Sequence, residues 1–84
     1  MNMEAVIHLG YFNGYFFTVF LREQRNSRGA SWWTKTVVVH RNNVQVGNEW
    51  HEPEVIFRTL DEAKRAGIER GHQMIDALSV SNAS

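Results

Sequence analysis

The most constraining stretch in this chain is residues 15–22, Tyr-Phe-Phe-Thr-Val-Phe-Leu-Arg, which follows Asn13-Gly14. Asn-Gly accepts positive φ at both central turn positions and is the strongest short hairpin signal. A strand must follow it. In a strand, alternate side chains point to opposite faces. The odd face would carry Tyr15, Phe17, Val19 and Leu21, and the even face Phe16, Thr18, Phe20 and Arg22. Both faces are apolar over most of their length, so both need cover.

One candidate cover is a single helix. Thr59-Leu60-Asp61-Glu62 forms a capping box, with acids in the first turn to suit the helix dipole. Stepping ~100° per residue gathers Leu60, Ala63, Gly67, Ile68, Gly71, Met74, Ile75 and Leu78 on one arc. The opposite arc holds Asp61, Glu62, Arg65, Glu69, His72, Gln73 and Asp76. The spacing predicts a helix over about 60–78, with residues 79–84 as a frayed tail. Ala63, Gly67 and Gly71 recur every four residues, and each glycine costs a helix about 1 kcal/mol against alanine. Close packing on a sheet would offset that cost, and so would a helix–helix contact between two protomers.

The remaining strands lie within 5–57. Ala5 to Phe12 precedes the Asn13-Gly14 turn. Glu23 to Ala30 is polar and reads as a long loop. Ser31 to His40 is β-rich, with Trp32, Trp33 and Val37-Val38-Val39. Asn42-Asn43 signals a second turn, because asparagine tolerates the left-handed region. Val44-Gln45-Val46 starts another strand, Glu49 to Pro53 reads as loop or edge, and Pro53 limits residues 54–57 to an edge strand. The expected fold is therefore α+β, one domain over 1–84. It is a three- or four-stranded antiparallel meander with one C-terminal helix packed on one face.

At 84 residues the chain is too short for two cores. It has no cysteine, hence no disulfide scaffold or thiolate metal cluster. No run reaches the ~18 apolar residues of a membrane span, and residues 1–4 lack the basic region of a secretory signal. A cytoplasmic location is the expectation. The four histidines (His8, His40, His51, His72) lack metal-ligand spacing, although His8 and His40 could meet across the sheet. Glu49, Glu52 and Glu54 read as a solvated acidic loop. No nucleophile elbow or phosphate loop is present, so neither an enzyme nor a cofactor is expected.

Two binding readings follow. One helix covers one face of the second strand, so a second copy of the chain is expected to cover the other. The candidate interface is Tyr15, Phe16, Phe17, Val19, Phe20 and Leu21, and the chain would be a small non-enzymatic interaction module acting as a homodimer. The alternative uses charge. Lys plus Arg equals Asp plus Glu, 9 each, yet residues 15–45 hold five cations against one anion. Arg22, Arg25, Arg28, Trp32, Trp33, Lys35 and Arg41 would then grip phosphates and stack on bases. The opposing possibility is that this basic hairpin and the acidic segment 46–62 neutralise each other within the fold or across a dimer.

The run Phe57-Arg58-Thr59-Leu60-Asp61-Glu62-Ala63-Lys64-Arg65-Ala66 resembles the start of the helix in small sheet-plus-helix DNA-binding domains. These include the plant-type AP2 domain and the arm-binding domain of phage-type integrases. That resemblance implies a sheet in the major groove contacting DNA through Arg22, Arg25, Trp32, Trp33, Lys35 and Arg41. The tight Arg/Trp strand motif of the AP2 group is absent here. Over its whole length the chain is similar to small uncharacterised bacterial proteins with a β-meander and one C-terminal helix, as in Glu62-Ala63-x-x-Ala66-Gly67-Ile68 and Met74-Ile75-Asp76. That resemblance implies a fold and no activity.

Overall fold

A computed structural model of the chain describes residues 4–82, and the side chains of 79–82 are not part of the description. The order is β1 (Ala5–Phe12), β2 (Tyr15–Arg25), β3 (Ser31–Arg41), β4 (Val44–Gln45), β5 (Trp50–His51) and α1 (Leu60–Asn82). All pairings are antiparallel, in the order β1-β2-β3-β4, with β5 also on β3. This is the expected α+β meander with a single C-terminal helix, enlarged by one short strand.

Both asparagine turns form as their chemistry demands. Asn13 and Gly14 have φ of 52° and 83°, and Asn42 and Asn43 have 53° and 64°. Positive φ at both positions matches the right-handed twist of the flanking strands. The first turn closes on the Phe12–Tyr15 pair and sets Tyr11 opposite Phe16, Leu9 opposite Thr18 and Ile7 opposite Phe20.

The expected loop at Glu23 starts later. β2 runs on to Arg25, because Glu23 and Gln24 still pair with Trp33 and Trp32. The remaining turn is organised by Asn26, whose Oδ1 accepts from the Arg28 and Ala30 amides at 2.9 and 3.1 Å.

The helix covers the odd face of β2. Tyr15, Phe17, Val19 and Leu21 are buried with Trp33, Val37 and Val39 of β3 and with Ala63 and Ile75 of α1. The small-residue stripe explains the fit. A Cβ built on Gly67 would lie 2.3 Å from Val19 Cγ1, and one on Gly71 would lie 2.6 Å from Phe17 Cδ2. Bare Cα positions let the helix sit directly on the sheet. The stripe is thus filled within one chain, which corrects the idea of a helix–helix contact between protomers. Because 67 meets 19 and 71 meets 17, α1 runs antiparallel to β2.

The Thr59 cap is present, with the Glu62 amide donating to Thr59 Oγ1 at 3.1 Å. The helix continues past residue 78 to Asn82, so the expected frayed tail is too long by four residues. No glycine or proline stops it there. Residues 83–84 of that tail lie outside the described residues. His72, assigned to the polar arc, is half-buried. Its ring stacks on Phe12 at 4.2 Å and meets Phe17 edge-on at 5.5 Å. No described helix is long and apolar enough to cross a membrane.

Candidate interaction surface

The register that buries the odd residues of β2 determines what lies on the other side. Phe16, Phe20 and Arg22 point away from the helix, beside Ile7, Leu9 and Tyr11 of β1 and Trp32, Thr34, Thr36 and His40 of β3. Among them Ile7, Leu9, Tyr11, Phe16 and Phe20 form a contiguous apolar field, exposed by between 42% (Phe20) and 73% (Leu9). Tyr11 and Phe16 meet edge-on at 4.9 Å. Thr18 and Val38, short side chains at the centre of the same face, are buried among these larger neighbours.

Two hollows flank that field. One, of about 910 Å³, lies between Ile7, Phe20, Trp32, Thr36 and His51. The other, of about 400 Å³, lies between Leu9, Phe16, Thr18 and His40. Apart from the buried Thr18, the polar groups of the face sit at its margins. There Thr36 Oγ1 and His51 Nδ1 share a hydrogen bond of 2.6 Å across β3 and β5.

The expected interface of six residues is therefore cut to two. Phe16 and Phe20 face outward, whereas Tyr15, Phe17, Val19 and Leu21 are core beneath the helix. The three β1 residues that complete the field were not among the candidates. The register implied by a two-residue Asn-Gly turn carried the missing signal, because it places each of them opposite an even residue of β2 or beside one.

The seven nucleic-acid candidates do not form one surface. Trp33 is core, and Lys35 is only 4% exposed on the helix side, paired with Glu52 at 3.2 Å. Arg41 lies over the Tyr15 ring at 5.1 Å and donates to its hydroxyl at 3.3 Å. Arg25 pairs with Glu23 at 3.7 Å, and Arg28 sits in the 26–30 turn. Arg22 and the half-buried Trp32 are left on the open face. The cause is strand alternation: it sends half of a hairpin's charges inward, where they need partners.

Glu52 is the largest departure from the acidic loop expected at 49–54. Its carboxylate accepts from Trp50 Nε1 and Lys35 Nζ, and Arg70 of the helix lies 4.0 Å away, its guanidinium stacked 4.2 Å from the Trp50 ring. The Trp50 and Lys35 hydrogen bonds, with the Lys35 and Arg70 charges, hold the Glu52 carboxyl below its ordinary value of 4.5. This cluster ties the segment after β3 to the helix, and it neutralises part of the basic hairpin within the fold. The histidines are dispersed. His8 lies on the helix side near Phe17, and His40 lies on the open side, so they do not meet. Among the described residues no group of three or more acids or histidines could hold a metal.

Residues 8–84 match the family described as a domain of unknown function (DUF6566). The chain belongs to that family. The match begins at His8 in the middle of β1 and runs through the helix, so it includes both the core and most of the open face. No curated protein and no solved structure matches the chain significantly.

Proposed function

We propose that this chain is a non-enzymatic interaction module that pairs with a second copy of itself through the open face of the sheet. The observation that carries this is the apolar field of Ile7, Leu9, Tyr11, Phe16 and Phe20. Taking ~150–250 Å² for a whole aromatic side chain, these five expose on the order of 600 Å². That is at or above the largest apolar patch of a typical monomer, ~300–600 Å². With the polar margin added it approaches the ~800 Å² per partner of a standard interface.

A second copy suits the chemistry. The centre of the face is hydrocarbon and aromatic, with Arg22 and Glu49 at one end beside the larger hollow, so its partner must be mainly apolar at the centre. Another copy offers such a surface of the same size. Two sheet faces pack ~10 Å apart with interdigitating side chains, and a two-fold axis lets one patch serve both sides. A cytoplasmic location fits this reading, since nothing in the fold calls for a disulfide and the chain has no cysteine.

The test is the mass of the full chain in solution by sedimentation equilibrium, for wild type, Phe16→Glu and Phe20→Glu. Wild type should be associated at high micromolar concentration. Each variant should lose one step of association while keeping its circular dichroism. A wild type that stays monomeric at that concentration sinks the proposal.

A further inference from the structure

The two edges of the sheet are treated differently. The outer edge of β3 is covered along most of its length. β4 pairs with His40 and Arg41, the Val46 amide donates to the Val39 carbonyl at 2.8 Å, and β5 pairs with Thr36 and Val37. Phe57 and Trp33 then exchange two backbone hydrogen bonds of 2.8 and 2.9 Å. Among the described residues, no strand pairs with the outer edge of β1. That strand has eight residues, Ala-Val-Ile-His-Leu-Gly-Tyr-Phe, with no Asp, Glu, Lys or Arg, no proline and an unbroken register on β2. Natural edge strands are normally blunted by lysine, proline, a bulge or brevity, because a bare edge pairs with other chains. None of these devices is present in β1.

Which backbone groups face outward is determined by the ladder. The Glu23 amide donates to the Glu4 carbonyl at 2.9 Å, so even-numbered residues of this stretch direct their N–H and C=O groups at β2. Ala5, Ile7, Leu9 and Tyr11 direct theirs away from the sheet. The same odd residues carry their side chains on the open face.

We infer that the bare edge of β1 is a second self-association surface, at which β1 of another copy pairs antiparallel and joins two sheets into one. The occupant is a second copy because the strand is complementary to itself. Antiparallel pairing brings outward residues opposite outward residues, so odd pairs with odd. Any such register places apolar residues together on the open face, for example Leu9 against Leu9 of the second copy with Ile7 against Tyr11. With no Asp, Glu, Lys or Arg, and with His8 on the other face, the strand brings no like charges together on the open face. Odd-on-odd pairing also has a geometric consequence. Both helices must lie on the same side of the joined sheet, with both open faces continuous on the other. The two-fold axis of this contact is normal to the sheet, whereas the axis of a face-to-face contact lies in the sheet plane. Where these perpendicular axes intersect, the assembly closes as four copies, in helix–sheet–sheet–helix layers.

Amide hydrogen exchange on the full chain tests this residue by residue. At high micromolar concentration the Ile7, Leu9 and Tyr11 amides should exchange roughly tenfold or more slowly than in a dilute sample. Val6 and His8, bonded to β2, should stay slow in both. Loop-like exchange at Ile7, Leu9 and Tyr11 in the concentrated sample overturns the inference. Leu9→Pro removes the central outward donor and spares the β1–β2 ladder, since proline is tolerated where a strand's N–H faces solvent. Its mass should fall to half that of Leu9→Ala, which trims the same open-face side chain but keeps the N–H, and a mass equal to that of Leu9→Ala also overturns the inference. If Leu9→Pro does not fold, the exchange result decides alone. The face reading fails separately: Phe16→Glu then leaves the mass unchanged while the β1 amides remain protected.

Discussion

Gly71 of the helix lies directly against the ring of Phe17: a Cβ at 71 would fall 2.6 Å from Phe17 Cδ2 and 2.9 Å from Cγ. The same ring is approached from β1 by Gly10, where a Cβ would lie 2.2 Å from Cζ. One buried phenylalanine thus occupies the space that two missing methyl groups leave. The helix glycines are set by packing, against the preference of the helix itself.

Gly71→Ala should therefore destabilise the domain. Alanine gains about 1 kcal/mol of helix propensity over glycine. Overpacking a dense core costs about 1–3 kcal/mol and wins when the obstacle is a ring held on both sides. Gly67→Ala, against Val19 Cγ1 at 2.3 Å, should behave likewise, and pairing it with Val19→Ala should recover part of the loss. Urea denaturation of the single and double variants measures this.

Gly14 gives the opposite control. Nothing lies within 4 Å of a Cβ there, but its φ is 83°. Gly14→Ala should cost about 1–2 kcal/mol from backbone conformation alone. No substitution of a neighbouring side chain should rescue it.

Glu52 should make stability depend on pH. Its folded-state carboxyl is held below the ordinary 4.5 by the Trp50 and Lys35 hydrogen bonds and the nearby cations. The contribution is complete above the unfolded value and is lost as pH falls through the lower folded value. Thermal unfolding should show wild type weakening below about pH 4.5, where carboxylates in the unfolded chain take up protons. Lys35→Met combined with Glu52→Gln should flatten this site's part of the profile. Glu52→Gln alone should lower the melting temperature near neutral pH, because it leaves the buried Lys35 ammonium without its anion.

Thr59→Ala should cost about 1 kcal/mol by removing the oxygen that accepts from the Glu62 amide. Loss of helix signal should come with loss of the whole fold, because the helix completes the single core. A helix that melts while the sheet remains folded would contradict that.

Local chemistry alone determines much of this protein. Asn13-Gly14 and Asn42-Asn43 specify their hairpins, Thr59 specifies the helix start, and the stripe Ala63, Gly67, Gly71 at four-residue spacing specifies the buried side of the helix. These depend on φ preference, capping and periodicity, all of which act within a few residues. Which face of β2 is core could be settled only by tertiary structure. Tyr15 and Phe17 compete with Phe16 and Phe20 on nearly equal hydrophobicity, and alternation separates the two sets without ranking them. The decision comes from Gly67 and Gly71 seating on Val19 and Phe17, roughly fifty residues along the chain. Distance in sequence also hides why Lys35 is buried, since its anion lies 17 residues away on a segment that reads as loop. The bare edge of β1 is a property of the assembled sheet: a strand's neighbours, not its own residues, decide whether its outer hydrogen-bonding groups are used.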